Sequence, residues 1–137
     1  MRRLLLDTNF LLDIAVAHRP DADAAEALFE AICDGKVGGT VSPTSLKDFY
    51  YVARRDMSEA RRREWIALFM DAFDVVPLGA DDCRRALASD ESDFEDGIIR
   101  AVAERSGCDA IVSRDTAAFV GSPARRVTAS EYLAELR

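Results

Sequence analysis

Residues 3–6, Arg-Leu-Leu-Leu, form a short apolar run that ends directly on an acid, Asp7. Residues 108–112, Cys-Asp-Ala-Ile-Val, form a second such run, and Ser113-Arg114-Asp115 follow it. Short apolar runs of this kind fit strands buried on both faces, the usual state of strands in a parallel sheet. The segments between them have helical character. Ala24, Ala27, Leu28, Ala31 and Ile32 recur at helical spacing and stop at Gly35. Ser42-Pro43 supplies a cap followed by proline at a first helical position.

The resulting order of elements is strand 3–6, helices 9–17 and 21–34, strand 37–41, a helix from 43 to about 54 and a helix 58–72 capped by Ser58. Strand 73–78, helix 80–89 and a helix from Ser92 or Asp93 to Gly107 come next, then strand 108–112, a short helix, a small strand at 126–128 and a helix 129–137. Alternation of strands with helices predicts an α/β fold with a mostly parallel sheet covered on both faces. The length, 137 residues, fits one domain spanning 1–137.

Composition narrows the chemistry. The three cysteines, Cys33, Cys83 and Cys108, are odd in number and far apart, so they are read as reduced core thiols, without a disulfide framework or zinc site. The single histidine, His18, excludes a multi-histidine metal centre. Any bound metal must then be held by oxygen, which points to magnesium or manganese. No apolar run approaches the roughly 20 residues that span a bilayer. Asp7 and Asp13 interrupt the apolar start, so that start is read as strand plus helix and the protein as cytoplasmic. The net charge of −7 weighs against phosphate binding, but 16 of the 18 basic residues are arginines, several in runs.

Four acids stand out by position. Asp7 and Asp115 each follow a strand, where open parallel sheets place their ligand sites. Asp96 lies in the first turns of a helix whose Ile98, Ile99, Val102 and Ala103 face the core. Asp48 lies among Leu46, Phe49, Tyr50 and Val52, where a charge needs a partner such as a metal. Clustered carboxylates repel one another unless a cation sits between them. With magnesium or manganese they can act on a phosphodiester without a protein nucleophile, in agreement with the lack of a serine–histidine or cysteine–histidine pair. Asp13, Asp21, Asp23, Asp81 and Asp82 are read as solvated or capping acids.

These residues resemble a family. LLLDTNFLLDI resembles the opening of PIN domains, and DFEDGIIRAVAERSGCDAIVSRDTAAF resembles their second hallmark, with SPTSLKDFYYVARR similar to a middle segment. The resemblance implies a three-layer α/β/α fold with strand order 3-2-1-4-5, and a magnesium- or manganese-dependent ribonuclease, often the VapC-like toxin of a toxin–antitoxin pair. By motif, Asp7, Asp96 and Asp115 match the metal-holding acids, which are expected to converge. Asp48 stands in the place of the second catalytic acid, where the family commonly has glutamate, and is one methylene shorter. Asn9 and Ser113 match the polar neighbours of the first and fourth acids, with Asn9 expected to orient Asp7. The resemblance also implies RNA as substrate, an antitoxin partner and a homodimer. It gives the arginine-rich segment 54–63 a place beside the RNA, with Arg61, Arg62 and Arg63 on phosphates.

Two other readings stay in view. One is a PIN fold without catalysis that binds RNA or protein. The other is a haloacid-dehalogenase-like phosphatase, which requires an aspartate where this chain has Asn9.

Overall fold

The computed structural model describes residues 1–137. Strand β1 (Arg3–Leu6) is the centre of a five-stranded sheet. It pairs with β2 (Gly38–Val41) on one side and β4 (Ala110–Val112) on the other. Beyond these lie β3 (Asp74–Val75) and β5 (Arg125–Val127), so the order is β3-β2-β1-β4-β5 and every pairing is parallel. The predicted parallel sheet and strand order are both present.

The three leucines of β1 explain why it is central. Successive side chains of a strand point to opposite faces. Leu4 and Leu6 enter a buried cluster with Phe49, Phe69 and Tyr132, whereas Leu5 enters a second cluster with Val102, Ala103 and Ile111. All three are fully buried, and each such leucine contributes about 1.5–3 kcal/mol. Helices α1 (Thr8–Ala15), α2 (Ala22–Cys33), α3 (Pro43–Val52), α4 (Glu59–Ala72) and α7 (Ala129–Glu135) supply the first cluster. Helices α5 (Ala80–Ala88) and α6 (Phe94–Arg105) supply the second. The sheet is thus the middle of three layers.

Helices start where the sequence offers caps. Ser42 accepts from the Thr44 amide, Ser58 from the Arg61 amide, and Asp93 from the Glu95 and Asp96 amides. Asp7 caps α1, so the residue that ends β1 also begins the next helix.

Three expectations need correction. Strand β3 has two residues, not six: the Val76 amide still bonds the Val41 carbonyl, but Pro77 has no amide to continue the ladder. The segment 113–124 holds turns and no helix, with Phe119 and Gly121 at φ +65 and +83. Of the cysteines only Cys108 is a core thiol; Cys83 is half-buried and Cys33 is exposed.

Helices α5 and α6 touch through Gly97. A Cβ there would lie 2.9 Å from the Ala86 Cβ and 3.0 Å from its Cα. Gly97→Ala is expected to lower stability by about 1–2 kcal/mol, overpacking outweighing the better helix propensity. Urea unfolding is the measurement, and an unchanged midpoint would mean that the two helices separate without cost.

Candidate active site

The sheet brings the ends of β1 and β4 side by side, and the chain leaves them in different directions. This is the switch point at which open parallel sheets bind ligands. Asp7 stands at the end of β1, and Ser113, Arg114 and Asp115 follow β4.

Two groups act on Asp7. Its carboxylate accepts from the Phe10 amide at 2.9 Å, and the nearby Ser113 hydroxyl favours its charged form. Ser113 is buried, and its oxygen accepts from the Asp115 amide at 3.1 Å. One serine thus bonds the amide of one acid and favours the charge of the other, the two acids following neighbouring strands. Burial pushes the Asp7 carboxyl up to about 6, against the pull of the Phe10 amide and Ser113; Asp13 adds to the rise and Arg114 opposes it.

Asp96, in the first turn of α6, is also pushed up to about 6. Burial is the main cause, followed by the charges of Asp93, Asp115, Glu91 and Glu95. Asp115 is itself exposed, and its Oδ1 accepts from the Ala117 amide at 3.0 Å.

Asp7, Asp48 and Asp96 line one cleft of about 320 Å³ between α3 and the start of α6. Asp115 is not among its lining residues and reaches the group through its charge on Asp96. The expected convergence is therefore partial: no three acidic, histidine or cysteine side chains stand close enough to form a closed ligand set. Mutual repulsion of carboxylates works against such closure. The donor chemistry fits a hard divalent cation. The cleft offers carboxylates, serine, threonine and asparagine, with no imidazole or thiolate, and two of its acids hold their protons unusually well.

Asp48 is half-buried, and its partner is Lys47, 3.1 Å away. Asn9 corrects an expectation. Its side-chain oxygen accepts from Arg19 at 3.2 Å, and the hydrogen bond that Asp7 accepts comes from the Phe10 amide instead. The arginine triplet is internally engaged. Arg61 pairs with Glu64, Arg63 with Glu59, and half-buried Arg62 with Glu59 and the Tyr50 carbonyl. Arg63 shares with Lys47 a groove between α3 and α4, and Lys47 also borders the acid cleft.

Sequence reasoning missed Asp13 by reading it as solvated or capping. Asp82 does cap, bonding the Gly79 amide, but it is buried and bound to Arg105. Asp13 is 4% exposed, 2.6 Å from the Arg19 Nε and 3.5 Å from Arg114. It lines a smaller cleft on the other side of Asp7. An acid inside the apolar run Phe10-Leu11-Leu12-Asp13-Ile14 was the available signal.

A family model described as PIN domain matches residues 3–117. None of the curated proteins matches the chain. In structure the chain is similar to VapC20 of Mycobacterium tuberculosis, a sarcin-ricin loop cleaving toxin, with TM-score 0.68, 18% identity, and 82% of this chain and 89% of that one covered. It is also similar to a toxin–antitoxin complex from Klebsiella pneumoniae, with TM-score 0.68, 21% identity, and 92% and 97% covered. VapBC2 of Rickettsia felis, bound to a DNA fragment from its promoter, gives TM-score 0.68 at 10% identity, with 92% and 98% covered.

Proposed function

The chain belongs to the PIN domain family, and from that premise we propose that it is a metal-dependent endoribonuclease and the toxin of a toxin–antitoxin pair. The observation that carries the reading is the pair of carboxyls, Asp7 and Asp96, both pushed up to about 6 in one cleft at the sheet's switch point. Strongly shifted acids in a cleft mark functional sites more often than structural ones.

In this reading Asp7, Asp96 and Asp115 hold magnesium or manganese, and Asp48 completes the acid set from the α3 wall. The cation, when bound, supplies positive charge and Lewis acidity to the phosphodiester. Ser113 holds the Asp115 amide and favours the charged form of Asp7. Lys47 lies against Asp48 at the cleft's edge and balances its charge.

The substrate is RNA. Of the arginine triplet, Arg61 and Arg63 are exposed, and surface ion pairs such as theirs are weak enough to be exchanged for phosphates. Arg62 is fixed by the Tyr50 carbonyl and serves the α3–α4 contact first. Arg61→Ala with Arg63→Ala is expected to lower the salt dependence of RNA binding by roughly one log–log unit, or slightly less, per lost phosphate contact. An unchanged slope would remove them from the RNA path.

The partners are an antitoxin and a second copy of the chain. The toxin–antitoxin complexes among the similar structures support the first. For the second, Leu68, Met70 and Tyr51 are exposed large side chains on α3 and α4, beside a groove lined by Leu46, Ile66 and Ala67. No helix is long and apolar enough to cross a membrane, and the cytoplasm, where RNA is met, is the proposed location.

The test is cleavage of labelled single-stranded RNA in manganese, its arrest by chelator, and 5′-phosphate product ends. A cyclic-phosphate product would show that the RNA's own hydroxyl attacks. Binding of RNA without cleavage would assign the chain to the catalytically silent binding modules of this fold.

A further inference from the structure

One lip of the acid cleft is an aromatic ring. Phe94, the first residue of α6, is 48% exposed, although large apolar side chains usually go inside. It belongs to neither buried cluster, yet it lines the cleft together with Asp7, Asp48 and Asp96. The other wall is α3, where Ser45 is 1% exposed and its hydroxyl has no hydrogen-bond partner. A buried hydroxyl left unpaired costs about 1–3 kcal/mol. Ser45 is part of the cleft lining, and its hydroxyl, closed to solvent as it stands, would reach a ligand in the cleft by rotation about its Cα–Cβ bond.

Charge decides which part of a ligand fits. Asp7, Asp48, Glu95 and Asp96 line the cleft against one cation, Lys47, which Asp48 already holds. A phosphate enters against that wall only on the divalent cation that Asp7 and Asp96 would hold, and the rest of the lining, Phe94, Ile98 and Ile99 among it, carries no charge. A nucleobase is neutral, flat and edged with hydrogen-bonding groups, and unpaired bases stack on aromatic side chains whatever their identity.

We propose that this cleft is a base subsite, in which an unpaired nucleobase beside the scissile phosphate stacks on Phe94 and hydrogen-bonds Ser45. The inference rests on the ribonuclease reading. It makes the site selective for single strands, because a base inside a duplex has both faces covered by its neighbours.

The test uses the full chain with Phe94→Leu, Phe94→Trp and Ser45→Ala. The probe is a fluorescein-labelled single-stranded RNA and its duplex form, with binding read by anisotropy in calcium and cleavage in manganese. Phe94→Leu is expected to weaken single-strand binding about tenfold and to raise KM in parallel, without change toward the duplex. Phe94→Trp is expected to retain affinity, and its added indole emission to fall on single-strand binding. Ser45→Ala is expected to weaken single-strand binding about fivefold. If Phe94→Leu and Phe94→Trp both bind and cut as the wild type does, and the new indole ignores RNA, the base subsite is wrong while the nuclease stands. A wild type that neither binds nor cuts RNA overturns both.

Discussion

Asp7→Asn is expected to cut RNA at least about a hundredfold more slowly than the wild type, and at pH 8 to unfold at a higher urea concentration. The two effects have one cause. Asp7 is held at the end of β1, where burial costs its charge more than its hydrogen bonds return, so its carboxyl stands at about 6 against an ordinary 3.8. A group whose folded value is raised contributes stability below the unfolded value, and that contribution is lost as pH rises through the folded one. For Asp7 the loss runs from about pH 4 to pH 7 and amounts to about 3 kcal/mol. Asparagine carries no charge to bury. It also remains a good N-cap, able to accept from the Phe10 amide as Asp7 does. The variant's advantage should therefore be near its full size at pH 8 and vanish near pH 4. Chelator is kept present so that no cation masks the charge. Equal urea midpoints at pH 8 would show that the Asp7 charge is already neutralised in the fold.

On the proposed nuclease reading, the same shift is expected to set the acid limb of activity. Carboxylates that hold a cation must be ionised, and both Asp7 and Asp96 take up protons near pH 6. Metal affinity should fall below that pH, more steeply than one titrating group allows.

Much of this was legible in the chain because the central strands announce themselves. Leu4–Leu6 of β1 and Ala110–Val112 of β4 are apolar throughout, since both strands have helices on both faces, and an acid follows each, Asp7 directly and Asp115 two residues on. Caps at Ser42, Ser58 and Asp93 fixed three helix starts to within a residue or so. The turn segment after β4 was not legible. Its conformation depends on a positive φ at Phe119, on Asp115 accepting from the Ala117 amide, and on Glu91 accepting from the Phe119 amide. The last is a contact across 28 residues that no local pattern encodes. The roles of Asn9 and Asp13 failed for a related reason. Arg19 reaches back six residues to Asp13 and ten to Asn9, so an arginine between α1 and α2 decides what both side chains do.

Asp13→Asn should act on stability and on pH dependence in opposite senses. Asp13 receives Arg19 at 2.6 Å and Arg114 at 3.5 Å, and Arg114 also holds Asp21 at 2.8 Å. One buried carboxylate thus joins the end of α1, the loop after β4 and the start of α2. Asparagine keeps the shape and one acceptor but removes the charge. Breaking a fully buried pair costs about 3–5 kcal/mol; both arginines keep some access to water, so about 2 kcal/mol is expected here. The Asp13 charge also raises the Asp7 carboxyl, while Arg114 lowers it. Without Asp13 the first influence disappears and Arg114 is freer to favour the Asp7 carboxylate. The variant should be less stable to urea, yet its pH–rate profile should keep activity to lower pH than the wild type. A purely structural Asp13 predicts the first result alone. A stability loss with an unmoved acid limb would therefore confine the Asp13–Arg114 network to scaffolding and separate it from the tuning of Asp7.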